Sequence, residues 1–145
     1  ELFRKYAAAL PIDLEYQGFA AELESLPGAY RAPAGALLLA RVDGAPAGCV
    51  AVRPLDARVC EMKRLYVRPL HRGAGLGPRL VTAAIAAATA RGYDELWLDT
   101  LASMTAAQHL YRRFGFRPIA PYGGQAVPGT RFYGLQLPAD TSVAP

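Results

Sequence analysis

Glu61-Met62-Lys63-Arg64-Leu65-Tyr66-Val67-Arg68-Pro69-Leu70-His71-Arg72-Gly73-Ala74-Gly75-Leu76-Gly77-Pro78 runs from an apolar strand through a glycine-rich turn into a helix. The strand half is out of phase with itself. Cys60 and Met62 are apolar at even positions and Leu65 and Val67 at odd ones, whereas the side chains of a regular strand alternate strictly. One extra residue near Lys63-Arg64 repairs the pattern, so the sequence predicts a β-bulge there. Bulges interrupt the ladder and re-aim side chains, and they gather beside active sites. The turn half is built to hold an anion. Glycines let the backbone come close, and the free N–H groups and positive dipole end of the following helix favour negative charge. It is not a P-loop, because Gly77-Pro78-Arg79 stands where Gly-Lys-Ser/Thr is needed. Nor is it a dinucleotide fingerprint, because Pro78 replaces the third glycine of G-x-G-x-x-G.

The flanking sequence supplies a sheet and its covering helices. Phe3, Tyr6, Ala7 and Leu10 recur at helical spacing until Pro11, and Tyr16, Phe19, Ala20, Leu23 and Leu26 repeat the stripe until Pro27-Gly28. Strands are predicted at Ala36 to Val42, Ala47 to Val52 and Val59 to Val67, with Asp43-Gly44 as a hairpin signal. A helix follows to about Arg91, with Pro78 in its first turn and Gly92 at its end. A strand at Tyr93 to Leu101, a helix at Thr105 to Phe114, and strands at Phe116 to Ile119 and Arg131 to Leu137 complete the chain. The residues after Pro138 read as a flexible tail. The order ααβββαβαββ describes one α/β domain over residues 1–145: a mixed, mostly antiparallel sheet flanked by helices.

Composition narrows the function. Hydrophobic residues are 52% and charged residues 19% of the 145, which excludes a disordered chain. No apolar run reaches the roughly 18–20 residues of a membrane helix, and the first ten residues do not read as a signal peptide. The expected setting is therefore cytoplasmic, with no membrane partner. The chain opens on Glu1 rather than Met, so further residues are expected before it. Net charge is +4 and almost all of the basic residues are arginine, whose planar fork suits phosphates. These arginines are scattered, so no nucleic-acid partner is expected. Cys49 and Cys60 sit in apolar stretches as buried thiols, and neither they nor His71 and His109 have ligand spacing, so no metal is expected.

Arg72-x-x-Gly75-x-Gly77 fits the R/Q-x-x-G-x-G/A pattern of the GNAT superfamily of acyl-CoA-dependent N-acetyltransferases. The strand Glu61 to Pro69 resembles that family's central strand, and Leu110-Tyr111-Arg112-Arg113-Phe114-Gly115-Phe116 is similar to its second signature, a tyrosine-bearing helix followed by Gly-Phe. The resemblance runs from Glu1 to Leu137, as in a small bacterial-type member, with the family's opening strand missing. It implies a GNAT fold and acetyl-CoA as co-substrate, with its pyrophosphate on the backbone of Arg72, Gly73, Ala74, Gly75, Leu76 and Gly77. The pantetheine arm would pair with the bulged strand at Leu65 and Val67, and the Leu65 N–H would steady the thioester oxygen. Tyr111 would protonate the leaving thiolate. Glu61, eleven residues before Arg72, stands at the spacing of the general base in histone-acetylating relatives; ordered water is the alternative base. The asparagine that often precedes the tyrosine by seven residues is Met104 here, so Ser103 or Thr100 would have to contact the pantetheine instead.

The resemblance implies acetyl transfer to the primary amine of a small molecule. A protein or peptide acceptor, or a non-catalytic CoA-binding domain, is the alternative. Family members often pair, which leaves a homodimer open. The long loop from Ala120 to Arg131 joins two strands that a short turn could have joined, and loops of this kind on a rigid scaffold often bind ligands. Tyr122 is expected to offer the acceptor a contact face and Arg131 to pair with a substrate carboxylate; a loop-packing Tyr122 and a solvated Arg131 are the plain alternatives.

Overall fold

The computed structural model describes residues 1–10, 13–124 and 126–139. Pro11, the side chain of Tyr16, Gln125 and most of the expected tail lie outside the described residues. Six strands form one open sheet in the order β1-β2-β3-β4-β6-β5: β1 Ala36–Val42, β2 Ala45–Pro54, β3 Val59–Val67, β4 Glu95–Thr100, β5 Arg117–Pro118 and β6 Arg131–Gln136. Every pairing is antiparallel except β3 with β4. The hairpin between β1 and β2 turns on Asp43 and Gly44, both at positive φ (51° and 80°), the conformation a tight two-residue turn demands.

Four helices cover the sheet: α1 Leu2–Ala9, α2 Phe19–Ser25, α3 Leu76–Ala90 and α4 Thr105–Arg113. Leu80, Val81, Ala84 and Ala88 of α3 and Tyr111 of α4 pack with Val50, Val52, Cys60, Met62, Leu96 and Leu98 on one face. Leu2 and Phe3 of α1 and Phe19 of α2 pack with Cys49, Ala51 and Tyr66 on the other. Both cysteines are free and buried. The expected stripe from Tyr16 to Leu26 is not one helix. Gly18 takes a left-handed φ of 71° and separates a single 3₁₀ turn, Leu14–Gln17, from α2.

The bulge is where the broken alternation puts it. On β2 the register passes from Cys49, opposite Tyr66, to Ala51, opposite Lys63, so Arg64 and Leu65 together face the single residue Val50. Arg64 adopts φ 61°, rare for a residue with a side chain. The extra residue lets Cys60 and Met62, then Leu65 and Val67, all pack on the α3/α4 side.

Candidate active site

A sheet whose strands stop pairing leaves a gap, and here the gap is central. β3 and β4 pair only at Val59 with Glu95, Cys60 with Leu96 and Glu61 with Trp97. Beyond that point the two strands diverge, and among the described residues β3 from Met62 onward has no strand paired on that side. A cleft, partly open to solvent, lies in the fork, lined by Met62, Lys63, Arg64 and Leu65 of β3 and Asp99 and Thr100 of β4. Tyr6, Gln17, Met104, Tyr111 and Thr130 close its sides.

The glycine-rich turn leads away from the divergent end of β3. Gly73 and Gly75 hold φ of 83° and 82°, with nothing within 4 Å of where a Cβ would stand. Gly75 caps α3 without a side-chain hydrogen bond. Among the described residues, no backbone carbonyl accepts from the amides of Gly73, Ala74, Gly75, Leu76 or Gly77. Such a run of unpartnered donors at the head of a 15-residue helix has the chemistry to hold an anion. Arg72 is drawn back over the strand, its Nε donating to the Val67 carbonyl at 2.9 Å and its guanidinium lying 5.7 Å from the Tyr66 ring centroid.

Tyr111 is 6% exposed, its ring packed against Phe116 and its face in the cleft. Burial raises its pKa above the ordinary phenol value, so it stays protonated and able to donate. Thr100 also lines the cleft, and its buried hydroxyl has no hydrogen-bond partner among the described residues. A buried hydroxyl of this kind needs a partner, which water or a bound molecule would supply.

Glu61 is placed elsewhere. It is 2% exposed and outside the cleft lining, accepting from Arg53 Nε at 2.8 Å and from the Tyr122 hydroxyl at 2.6 Å. Tyr122 lies against the rings of Trp97 and Phe132, with centroids 5.0 and 5.4 Å away. Its loop therefore reaches across to the last paired position of β3 and β4. Arg131 is exposed over a shallow depression with Gln108, Arg112 and Tyr133, while its neighbour Thr130 touches the cleft. Tyr111, Leu65 and the fork are thus brought together, and Glu61, Tyr122 and Arg131 form the surroundings.

The model of the Acetyltransferase (GNAT) family matches residues 2–116. An uncharacterized N-acetyltransferase of Schizosaccharomyces pombe is 38% identical over 138 residues, 94% of this chain and 85% of the relative. The chain belongs to the GNAT acetyltransferase family. A second uncharacterized N-acetyltransferase, from Dictyostelium discoideum, is 29% identical across 83% of this chain and 84% of its own. Among solved structures, a GNAT family acetyltransferase of Staphylococcus aureus superposes with a TM-score of 0.79 over 94% of this chain and 92% of its own, at 22% identity. A GNAT family acetyltransferase of Elizabethkingia anophelis, solved with acetyl-CoA bound, gives 0.65 over 90% and 94%, also at 22% identity. This GNAT protein is an acyltransferase of the N-acetyltransferase class.

Two members of the cleft were not singled out from the sequence. Lys63 and Asp99 face each other across the fork's lining, and burial lowers the pKa of the first and raises that of the second. The sequence shows Asp99 directly after the apolar run Leu96-Trp97-Leu98, a pattern that does not by itself separate a cleft residue from a solvated one. Among the described residues, no cluster of three or more His, Cys, Asp or Glu could hold a metal, and no helix is long and apolar enough to cross a membrane.

Proposed function

We propose that this GNAT protein moves an acetyl group from acetyl-CoA to the primary amine of a small molecule by direct attack on the thioester. The observation that carries the reading is Tyr111, buried at the fork between β3 and β4, in a chain whose phosphate cradle leads away from the same strand. The turn at Arg72 to Gly77 holds the pyrophosphate, and the unpaired edge of β3 at Leu65 and Val67 receives the pantetheine as an added strand. The Leu65 N–H, turned by the bulge, faces the thioester oxygen. Thr100 gives its orphaned hydroxyl to the arm, in place of the asparagine that Met104 replaces. Tyr111 then delivers a proton to the departing thiolate. The acetyl-CoA bound to the Elizabethkingia anophelis relative supports the co-substrate. The roofing of the cleft by Tyr6 of α1, Gln17 and Thr130 supports a compact acceptor. Arg131, exposed next to the cleft-lining Thr130, pairs with a substrate carboxylate in this reading.

Acetyl-CoA at 100 times its dissociation constant should add about 2.7 kcal/mol of stability. Thiol release with phenethylamine, spermidine, L-methionine and a tripeptide as acceptors tests the transfer itself. No thermal shift and no release with any of them would refute the proposal. Gly75→Glu should abolish the shift, whereas Gly92→Glu should keep it. Both glycines have φ of 82° and open space, so the backbone strain is matched and only the cradle differs.

A further inference from the structure

We propose that Asp99 is the base that takes the proton from the acceptor's ammonium group. The inference rests on the acetyl-transfer reading above and assigns the other half of its proton traffic. In a direct attack the amine adds to one face of the planar thioester, and the thiolate leaves from another corner of the tetrahedral intermediate. Base and acid therefore act from different positions around that carbon.

Strand alternation places them so. Leu96 and Leu98 of β4 are buried with α3 and α4, the side from which Tyr111 enters. Trp97 and Asp99 have the opposite parity. Trp97 meets Tyr122 on that second side, where Tyr122 in turn bonds Glu61, and Lys63 Nζ donates to Gln17 of the 3₁₀ turn. Asp99 and Tyr111 both line the cleft from these opposed positions.

Asp99 is also the carboxylate with capacity to spare. Glu61 already accepts from Arg53 and Tyr122 and lies 3.9 Å from Lys63 Nζ. Among the described residues none donates a hydrogen bond to Asp99, and its charged surroundings are Lys63, Glu61 and Arg64 of β3 and Arg53 of β2. Tyr111 and Tyr122 feel its charge, and Tyr6 of α1 closes the cleft beside it. Burial raises its pKa, against the pull of Lys63, which makes it a better proton acceptor than an exposed aspartate.

The balance is simple. The Asp99 carboxylate takes one proton from R–NH₃⁺, and the freed lone pair forms the N–C bond. The C–S bond breaks, and the thiolate takes the Tyr111 phenol proton. The nitrogen's second surplus proton restores the phenol through solvent, and Asp99 returns its own proton to water. Net products are the amide, free CoA and one proton.

The test compares Asp99→Asn, Asp99→Glu and Glu61→Gln, using whichever of phenethylamine, spermidine and L-methionine the wild type acetylates fastest. Asp99→Asn should lower kcat/KM for the amine about 10²–10³-fold at pH 7. It can use only amine that is already neutral, a fraction that grows about tenfold per pH unit below the amine's pKa of roughly 10. The deficit should therefore shrink steeply between about pH 7 and 9. Asp99→Glu should keep a neutral-pH plateau, and acetyl-CoA affinity by calorimetry should stay within about twofold in both variants. An Asp99→Asn deficit that is absent or constant with pH overturns the proposal, as does the pH-dependent deficit appearing in Glu61→Gln instead. If Asp99→Asn does not bind acetyl-CoA, the Asp99→Glu profile decides: a lost plateau with affinity intact overturns the assignment. A wild type that acetylates none of the three amines refutes the underlying reading, and this proposal falls with it.

Discussion

Tyr111 owes its place to three separate facts of the chain. Helical spacing puts it on the buried face of α4 with Gln108, the turn at Gly115 (φ 93°) returns Phe116 against its ring, and the fork makes it part of the cleft lining. Tyr111→Phe keeps the ring and removes only the hydroxyl, and with it the proton it could donate. It should lower kcat by about 10²–10⁴-fold while acetyl-CoA affinity changes little, because protonating the thiolate is a transition-state role. Steady-state kinetics beside calorimetry checks this, and an unchanged kcat would return Tyr111 to packing. Its place on the buried face of α4 was legible from the helical spacing with Leu110 and Phe114. Asp99 was not, because a single charged residue in a strand is usually solvated; only the divergence of β3 from β4 makes it a cleft residue, and divergence leaves no mark in the sequence. Glu61 was legible as a buried strand carboxylate, but its partners Arg53 and Tyr122 come from positions 8 residues before and 61 after it.

The bulge in β3 was written in the alternation of Cys60, Met62, Leu65 and Val67, and what secures it was not. Arg64, 3% exposed, turns to the α1/α2 side, where Nε and Nη2 both donate to Glu22 of α2 at 2.9 Å. Its Nη1 donates to Gln17, also at 2.9 Å, and its guanidinium lies over the rings of Tyr6 and Phe19. One side chain thus ties the bulge to α1, the 3₁₀ turn and α2, compensating a backbone conformation that costs about 1–3 kcal/mol. Burial pushes the Glu22 carboxyl up, but the bonds and charge of Arg64 outweigh it and leave the pKa below its ordinary 4.5. Its ionised form therefore stabilises the fold above about pH 4.5, and that contribution is lost as pH falls through the lower folded-state value. Glu22→Gln should cost about 1.5–3 kcal/mol at neutral pH, and its difference from wild type should narrow on acidification. Urea denaturation across that range measures it; a difference constant with pH would mean that the charge of Glu22 is not what holds Arg64.

Taken together, the two halves of the sheet are joined by few pairs. β1, β2 and β3 form one antiparallel unit, β4, β6 and β5 another, and three residue pairs of β3 with β4 connect them before the strands part. An opening at the centre of a sheet exposes unpaired backbone, so the fork needs a fastening. The loop between β5 and β6 supplies one: Tyr122 rests on Trp97 and bonds Glu61, and these two are register partners at the last pair before the divergence. The length of that loop was plain in the sequence and suggested a binding element. Its contact with Glu61 was not, since nothing local connects a loop tyrosine to a glutamate 61 residues earlier. Tyr122→Phe keeps the ring contacts with Trp97 and Phe132 and withdraws the donor from a carboxylate that is 2% exposed. Leaving that oxygen unpaired should cost about 1–3 kcal/mol of stability. Because the fork is also the cleft, the loss should show locally, as faster hydrogen exchange at Trp97 and Leu98 than at Val50 and Val52 in β2. Uniform acceleration, or none, would show that the three strand pairs hold the fork without the loop.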